Sequence, residues 1–232
     1  VRTRQPETEQ ALRFSIYSIY RLVFRYTRWK RMSLFGRLFA HSLMSGGRIL
    51  DIGGAPDNWR YIDSRCRITL VNLEFPAERD PRFGYVVADA RQLPFRDGTF
   101  DVAYSNSVIE HVGETADQRA FAAEASRAGR QYFIQTPDYY FPIEPHLIAP
   151  LIHYLPAKWQ PKAARIGSVR GLLEGFSREA AERFCSGIRL LKYCEFQSLF
   201  PDGELIRERF LGLSKSLIAV RVEAKRHGED EA

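Results

Sequence analysis

Asp51, Asn72, Glu74 and Asp89 each stand at the end of an apolar run, and His111, His146 and His153 follow later ones. Asp51 closes "RILDI" and leads into Gly53-Gly54, where two glycines let the chain turn sharply and let a ligand approach the backbone. Asn72 and Glu74 end "RITLVNLE", about 20 residues further on, where a polar side chain is placed to hydrogen-bond ribose hydroxyls. Asp89 ends "YVVADA", and a carboxylate there can accept a hydrogen bond from an exocyclic amine such as adenine offers. A phosphate-binding G-x-G-x-x-G turn would need glycine at Ala55 and Asn58 as well. Its absence makes the groups a crevice for an adenosine without a diphosphate. Asp51 and Asp89 each also have a plain role open to them, as turn or capping residues.

These residues need elements to hold them. Strand-like runs fall near 48–52, 67–72, 84–88, 100–105 and 131–136, with two more near 189–199 and 215–222. The first five alternate with helical or turn-rich segments, which predicts an α/β fold with a parallel sheet, ligands gathering outside the strands' carboxyl ends. The last two are joined through "LFPDGELIRERFLGL", which lacks a clear amphipathic crossover helix, so the sheet should finish antiparallel.

Residues 1–31 carry eight Lys or Arg against two Glu, which accounts for the whole formal charge of +6 and argues against a global nucleic-acid surface. In "ALRFSIYSIYRLVFRYTRWKRM", Leu12, Ile16, Ile19, Val23 and Tyr26 recur at helical spacing. That segment reads as a solvated amphipathic helix or as a basic patch, with Arg21, Arg25 and Arg28 on one face for an anionic ligand or a membrane surface. Cys66, Cys185 and Cys194 lack C-x-x-C spacing, so neither disulfides nor a zinc site is expected, and no metal is expected elsewhere. With no apolar run of membrane-spanning length and no secretory leader pattern, a cytoplasmic setting is expected.

The pieces "ILDIGGAP", "LVNLE", "VVADARQLPFRDGTFDVAYSNSVIEHV" and "KSLIAVRV", in this order, resemble class I S-adenosylmethionine-dependent methyltransferases, specifically the bacterial small-molecule and glycan group with an LPF-DG-FD motif. The resemblance is close over 48–137 and looser at the end. It implies a Rossmann-like fold: seven mostly parallel strands with an antiparallel last strand, and helices on both faces. S-adenosyl-L-methionine is the implied cofactor. Asp51 and the Gly53-Gly54 backbone would hold its methionine portion, Asn72 or Glu74 the ribose, Asp89 and Ala90 the adenine, and Ser105 its inner edge. The family's further loop glycines are replaced here by Ala55 and Asp57, so the loop must be shaped differently.

If the acceptor is a hydroxyl, a base must take its proton, and His146 or His111 is placed for it; each has the alternative of holding a loop. Glu110 and Glu144 form no recognisable pair by spacing. A methyltransferase domain over 48–222 is expected behind a basic helical extension (1–47), with a substrate-side insertion near 137–175 and a solvated tail from 223 to 232. In the insertion Tyr139 and Tyr140, with Phe141, either stack on a substrate ring or form a satellite core, and His153 is expected on a helix sharing a face with His146. The expected activity is O-methylation of a small molecule or glycan. Nucleic-acid methylation is the second reading, although "SNSV" after the fourth strand lacks the Asn/Asp-Pro-Pro-aromatic signature. A non-catalytic cofactor-binding module is the third.

Overall fold

The computed structural model describes residues 7–63 and 65–223, with side chains from Leu22 onward except Glu174. Seven strands form one sheet: β1 (Arg48–Ile52), β2 (Arg67–Asn72), β3 (Phe83–Val87), β4 (Phe100–Asn106), β5 (Gly129–Pro137), β6 (Glu204–Phe210) and β7 (Leu213–Arg221). Their order is β3-β2-β1-β4-β5-β7-β6. The first five are mutually parallel, and β7 runs antiparallel to both β5 and β6. Strand order reverses between β1 and β4, the place where an open α/β sheet leaves a crevice at its carboxyl edge.

One expected strand is absent. Residues 193–199 form a helix, because Tyr193, Phe196 and Phe200 recur at helical spacing and Glu195 caps the Lys192 amide at 2.9 Å. The true sixth strand lies in the stretch read as a connector. Leu211 (φ 49°) and Gly212 (φ 81°) make the two-residue left-handed turn that suits a tight hairpin, so no crossover helix is needed between β6 and β7. Arg207 and Arg209 are exposed on this edge strand, a composition that discourages pairing with another chain.

Helices cover both faces. On one, α4 (Thr115–Ala128) and α8 (Tyr193–Leu199) bury Phe121, Ala125 and Phe196 against Leu50, Ala103 and Tyr132. On the other lie α1 (Glu7–Leu38), α2 (Ala40–Met44) and the single turn α3 (Pro56–Trp59). Here Phe35 meets Trp59, Tyr104 and Phe133 edge-on, with ring centroids 5.1–5.7 Å away, an arrangement that aromatic quadrupoles favour.

Over the described turns of α1, the packed face is not centred on Val23 and Tyr26. Leu12, Ile16, Ile19 and Arg21 have side chains outside the described residues; Val23 is half-buried and Tyr26 is exposed. The buried positions are Thr27, Arg31, Met32 and Phe35. Arg31, one of the eight basic residues of 1–31, is buried: its guanidinium is paired with Glu208 of β6 at 2.6 Å and hydrogen-bonded to Asn106. Arginine permits this because its long apolar stem packs while its planar head satisfies buried acceptors.

The insertion closes where Leu191 bridges Asp138, so the excursion runs beyond 175. It holds a two-residue hairpin (143–144 with 149–150) and the helices α5 (Gln160–Gly167), α6 (Val169–Glu174) and α7 (Arg178–Ser186), around a small core of Leu147, Ala149, Ile152, Ala164 and Ala181. No helix joins 146 to 153. His153 sits in a separate 3-10 turn, Ile152–Tyr154, because the chain first returns through the hairpin. Among the described residues no helix is long and apolar enough to cross a membrane, and none of Cys66, Cys185 and Cys194 forms a disulfide.

Phe35→Ala should cost about 3–5 kcal/mol of stability, the usual loss for a buried aromatic ring. Tyr26→Ala, on the side the sequence pattern favoured, should stay within about 0.5 kcal/mol. Urea denaturation of the two variants checks which face of α1 is packed.

Candidate functional site

At the end of β1, Asp51 is fully buried, and its Oδ2 accepts a hydrogen bond from Trp59 Nε1 at 2.8 Å. Its Oδ1 has no hydrogen-bond partner among the described residues. Burial raises the carboxyl to about 8, although the indole bond works the other way. Gly54 is required by this carboxylate: a Cβ at 54 would lie 2.2 Å from Asp51 Cγ. Gly53 has φ +69°, and a Cβ there would meet Val108 at 2.4 Å. Where the family has further glycines, Ala55 is extended and Pro56 starts the turn that brings Trp59 over Asp51. The loop is therefore closed by an indole rather than opened by glycine.

The other expected cofactor residues share this edge. Asn72 Nδ2 donates to the Gly54 carbonyl at 2.9 Å and so ties β2 to the loop. Glu74 is exposed beyond it. The strand after β2 pairs Asn72 with Val87, which carries Asp89 and Ala90 to the same end. Both Asp89 carboxylate oxygens already receive the Arg91 guanidinium, at 2.6–3.0 Å, and these bonds hold its carboxyl below the usual range. An adenine amine would meet Asp89 in that pairing. Ser105 is buried and donates to the Ile52 carbonyl at 3.0 Å.

After β4 the backbone turns at Ser107, a non-glycine residue with φ 56°, and this left-handed conformation is held by the Ser107 amide on Gln135 O at 3.0 Å and its hydroxyl on Gln135 Oε1 at 3.0 Å. A 3-10 turn, Ile109–His111, follows. It is pinned by Gln118 Nε2, which donates to Ile109 O and Arg189 O, and by the Arg189 amide on Glu110 O at 2.8 Å.

Here the structure brings together what spacing kept apart. His111 Nε2 lies 3.1 Å from His146 Nε2. His146 Nδ1 is 2.6 Å from Glu144 Oε1, while Glu144 Oε2 accepts the Leu147 amide. Glu110 is fully buried, takes a hydrogen bond from Thr136 on Oε2, and leaves Oε1 unpartnered 3.7 Å from His146 Nε2. Burial pushes Glu110 up to about 7 against the pull of His146. Desolvation, then His146, holds His111 below its ordinary value. Burial opposes charge on His146, but the bond to Glu144 and the fields of Glu144 and Glu110 win, so its pKa is raised.

The pair opens onto a cavity of about 250 Å³ between α1 and the carboxyl ends of β4 and β5, lined by Arg28, Arg31, Asn106, Gln135, Phe141 and Lys215 among others. Lys215 donates to Thr27, and burial followed by Arg31 lowers its ammonium to about 8. Tyr139 and His153 do not border it. They line a second cavity of about 220 Å³ on the insertion side, with His153 Nε2 3.0 Å from the Tyr139 carbonyl and its ring 4.1 Å from that of Tyr154. Tyr140 is exposed, whereas Phe141 is buried. Glu110, Glu144, Asn106, Gln135 and Lys215 were missed by sequence reasoning. Only the adjacency of Glu110 to His111 and the two-residue spacing of Glu144 and His146 hinted at two of them.

Comparison with known proteins agrees with this architecture. The fold resembles a Burkholderia thailandensis 1,6-didemethyltoxoflavin-N1-methyltransferase, crystallised with 1,6-didemethyltoxoflavin and S-adenosylhomocysteine (TM-score 0.52, 16% identity, 95% of this chain and 91% of that one). It also resembles the PH0226 protein of Pyrococcus horikoshii (TM-score 0.51, 14% identity, 84% and 90%). A family model described as a methyltransferase domain matches residues 61–131. An uncharacterized methyltransferase of Mycobacterium sp. (strain KMS) is 38% identical over 76 residues, 29% of this chain, and the match spans 30% of that relative's length. The sheet order and the matched domain define a class I methyltransferase fold. Within that fold, residues 61–131 carry the methyltransferase-domain match, and the chain spans about a third of the length of the curated relatives it matches.

Asp51 gives a test of the loop's electrostatics. Its carboxyl titrates near 3.8 when unfolded and near 8 when folded, so the folded state favours the protonated form. The resulting stability is present below 3.8 and is lost as pH rises through 8. The melting temperature of the ligand-free protein should therefore fall across that window, and Asp51→Asn, which cannot ionise, should flatten the fall. Equal slopes in the two proteins would show that Asp51 is ionised throughout.

Proposed function

We propose that this chain methylates a hydroxyl oxygen of a small organic molecule or glycan. The observation that carries the reading is the His111–His146 pair, backed by Glu144 and Glu110 and open to a cavity at the carboxyl edge of the sheet. S-adenosylmethionine supplies a methyl group already activated on a sulfonium, so the protein's remaining tasks are alignment and removal of the acceptor's proton. Asp51 and the Gly53-Gly54 backbone take the cationic methionine end, which gives the unpartnered Asp51 Oδ1 a partner. Asn72, Glu74, Asp89, Ala90 and Ser105 frame the nucleoside along the same edge. The acceptor's proton is removed at the histidine pair.

An acceptor of small-molecule size suits a cavity of about 250 Å³, and the toxoflavin enzyme of the same fold holds such a molecule. Arg28 and Lys215 on the wall favour one bearing negative charge, the role expected of the basic helix. Tyr139, Tyr140 and His153, on the other side of the insertion, would shape access rather than touch the reacting atom. Three cysteines without a disulfide among the described residues suit a reducing, cytoplasmic setting.

His146→Ala should lower turnover by about 10²–10⁴-fold with cofactor affinity unchanged, the range for losing proton removal in the transition state. A methyl-transfer screen against phenols, sugars and amines, followed by single-turnover kinetics, tests this; full turnover in the variant would overturn it. Replacing Arg28 and Lys215 together with Gln should raise KM for an anionic acceptor and reduce its salt dependence, leaving cofactor binding intact.

A further inference from the structure

Glu110, His111 and His146 each offer one ligand atom, a carboxylate oxygen or a ring nitrogen, and the three atoms lie within 4.8 Å of one another. The two Nε2 atoms are 3.1 Å apart, and His146 Nε2 is 3.7 Å from Glu110 Oε1. Two ligands about 2.1 Å from a metal at a tetrahedral angle stand roughly 3.4 Å apart, between these two separations. Hydrogen bonding explains only part of the arrangement. It can join the two imidazoles, but it leaves Glu110 Oε1 fully buried without a donor, and 3.7 Å is too long for a hydrogen bond. A buried charge without a partner is costly unless it coordinates a cation.

The groups behind these atoms are arranged as metal ligands require. Glu144 Oε1 holds the His146 Nδ1 proton at 2.6 Å, which turns the Nε2 lone pair toward the cluster. His111 is hydrogen-bonded to the backbone of Gly187, at the end of α7. The Thr136 hydroxyl occupies Glu110 Oε2 and leaves Oε1 to face the imidazoles.

We propose that Glu110, His111 and His146 bind a single divalent first-row cation, zinc by their chemistry, at the mouth of the acceptor cavity. Two imidazoles and one carboxylate form the three-ligand set of catalytic zinc sites, which leaves a position open to a further oxygen. No change of oxidation state is needed, since the cation acts only as a Lewis acid. The catalytic use of this site rests on the methyl-transfer reading; the site itself does not. With a cation bound, the histidine pair acts as its ligands in place of acting as the base: the cation acidifies a hydroxyl that touches it, and the hydroxyl proton leaves to water. The oxygen's electron pair then forms the bond to the methyl carbon, and the carbon–sulfur pair stays on the neutralised sulfur. An amine acceptor needs no such help, because its neutral form already carries a free pair, so the site favours oxygen. The expectation of no metal looked for cysteine spacing, whereas these ligands come from a turn after β4 and a hairpin 35 residues later.

Equilibrium dialysis of the full chain against Zn²⁺ and Co²⁺ should give one ion per chain, and bound Co²⁺ should show visible d–d absorption. His111→Gln, at an exposed position that leaves folding intact, and Glu110→Gln should each weaken binding at least tenfold. Glu144→Gln should weaken it by about 10–100-fold, the usual effect of removing a carboxylate behind a ligating histidine. Circular dichroism confirms that each variant is folded. Zn²⁺ and Co²⁺ binding no tighter to the wild type than to the His111→Gln variant overturns the site. Hydroxyl methylation that persists after chelation, with no metal bound, overturns the catalytic use of the cation and leaves the activity standing. One bound ion without methylation of any hydroxyl supports the site and removes the activity.

Discussion

Two carboxylates are buried completely with only one oxygen satisfied, and the catalytic edge is organised around that imbalance. Asp51 ends β1 and Glu110 follows β4, the two neighbouring strands between which the sheet reverses order. A half-satisfied buried carboxylate lowers the stability of the empty fold. Its position here is enforced by other groups: Trp59 and Gly54 around Asp51, Gln118, Arg189 and Thr136 around Glu110. The carboxyl edge of the sheet thus presents two buried carboxylates, one after β1 and one after β4, each with an oxygen left for a further partner.

The parallel part of the sheet was legible in the sequence because each strand is a short apolar run closed by a polar residue. Asp51, Asn72 and Asp89 mark those closures and lie along one edge. The sixth strand was not legible, since "ELIRERF" is an edge strand with arginines facing solvent, while the more apolar "LKYCEFQSLF" mimicked it and folds as a helix. Local pattern records burial before it records the element that achieves it.

At the site, the histidines were legible individually but their relation was not. Glu110 and His111 are neighbours in sequence, Glu144 and His146 nearly so, and neither pair suggests the other. Only the hairpin within the insertion carries Glu144 and His146 back over the turn after β4. The expected helix through His146 and His153 would have kept both on one wall. The observed chain reversal instead assigns them to different cavities. The burial of Arg31 was hidden for a related reason: it counts as polar in any periodic pattern, yet a partner 177 residues away makes its burial tolerable.

That same tie has a consequence for how the protein comes into being. Arg31 sits in the first helix and Glu208 in the sixth strand, and β6 must fold back on β7 to present it. During synthesis the first helix therefore waits, with Arg31 lacking its acid and one side of the aromatic cluster lacking Ile218 and Val220, until β6 and β7 have left the ribosome. The domain completes itself late. Throughout that interval an arginine-studded helix with exposed aromatic rings is available to chaperones or to the nascent chain's own neighbours.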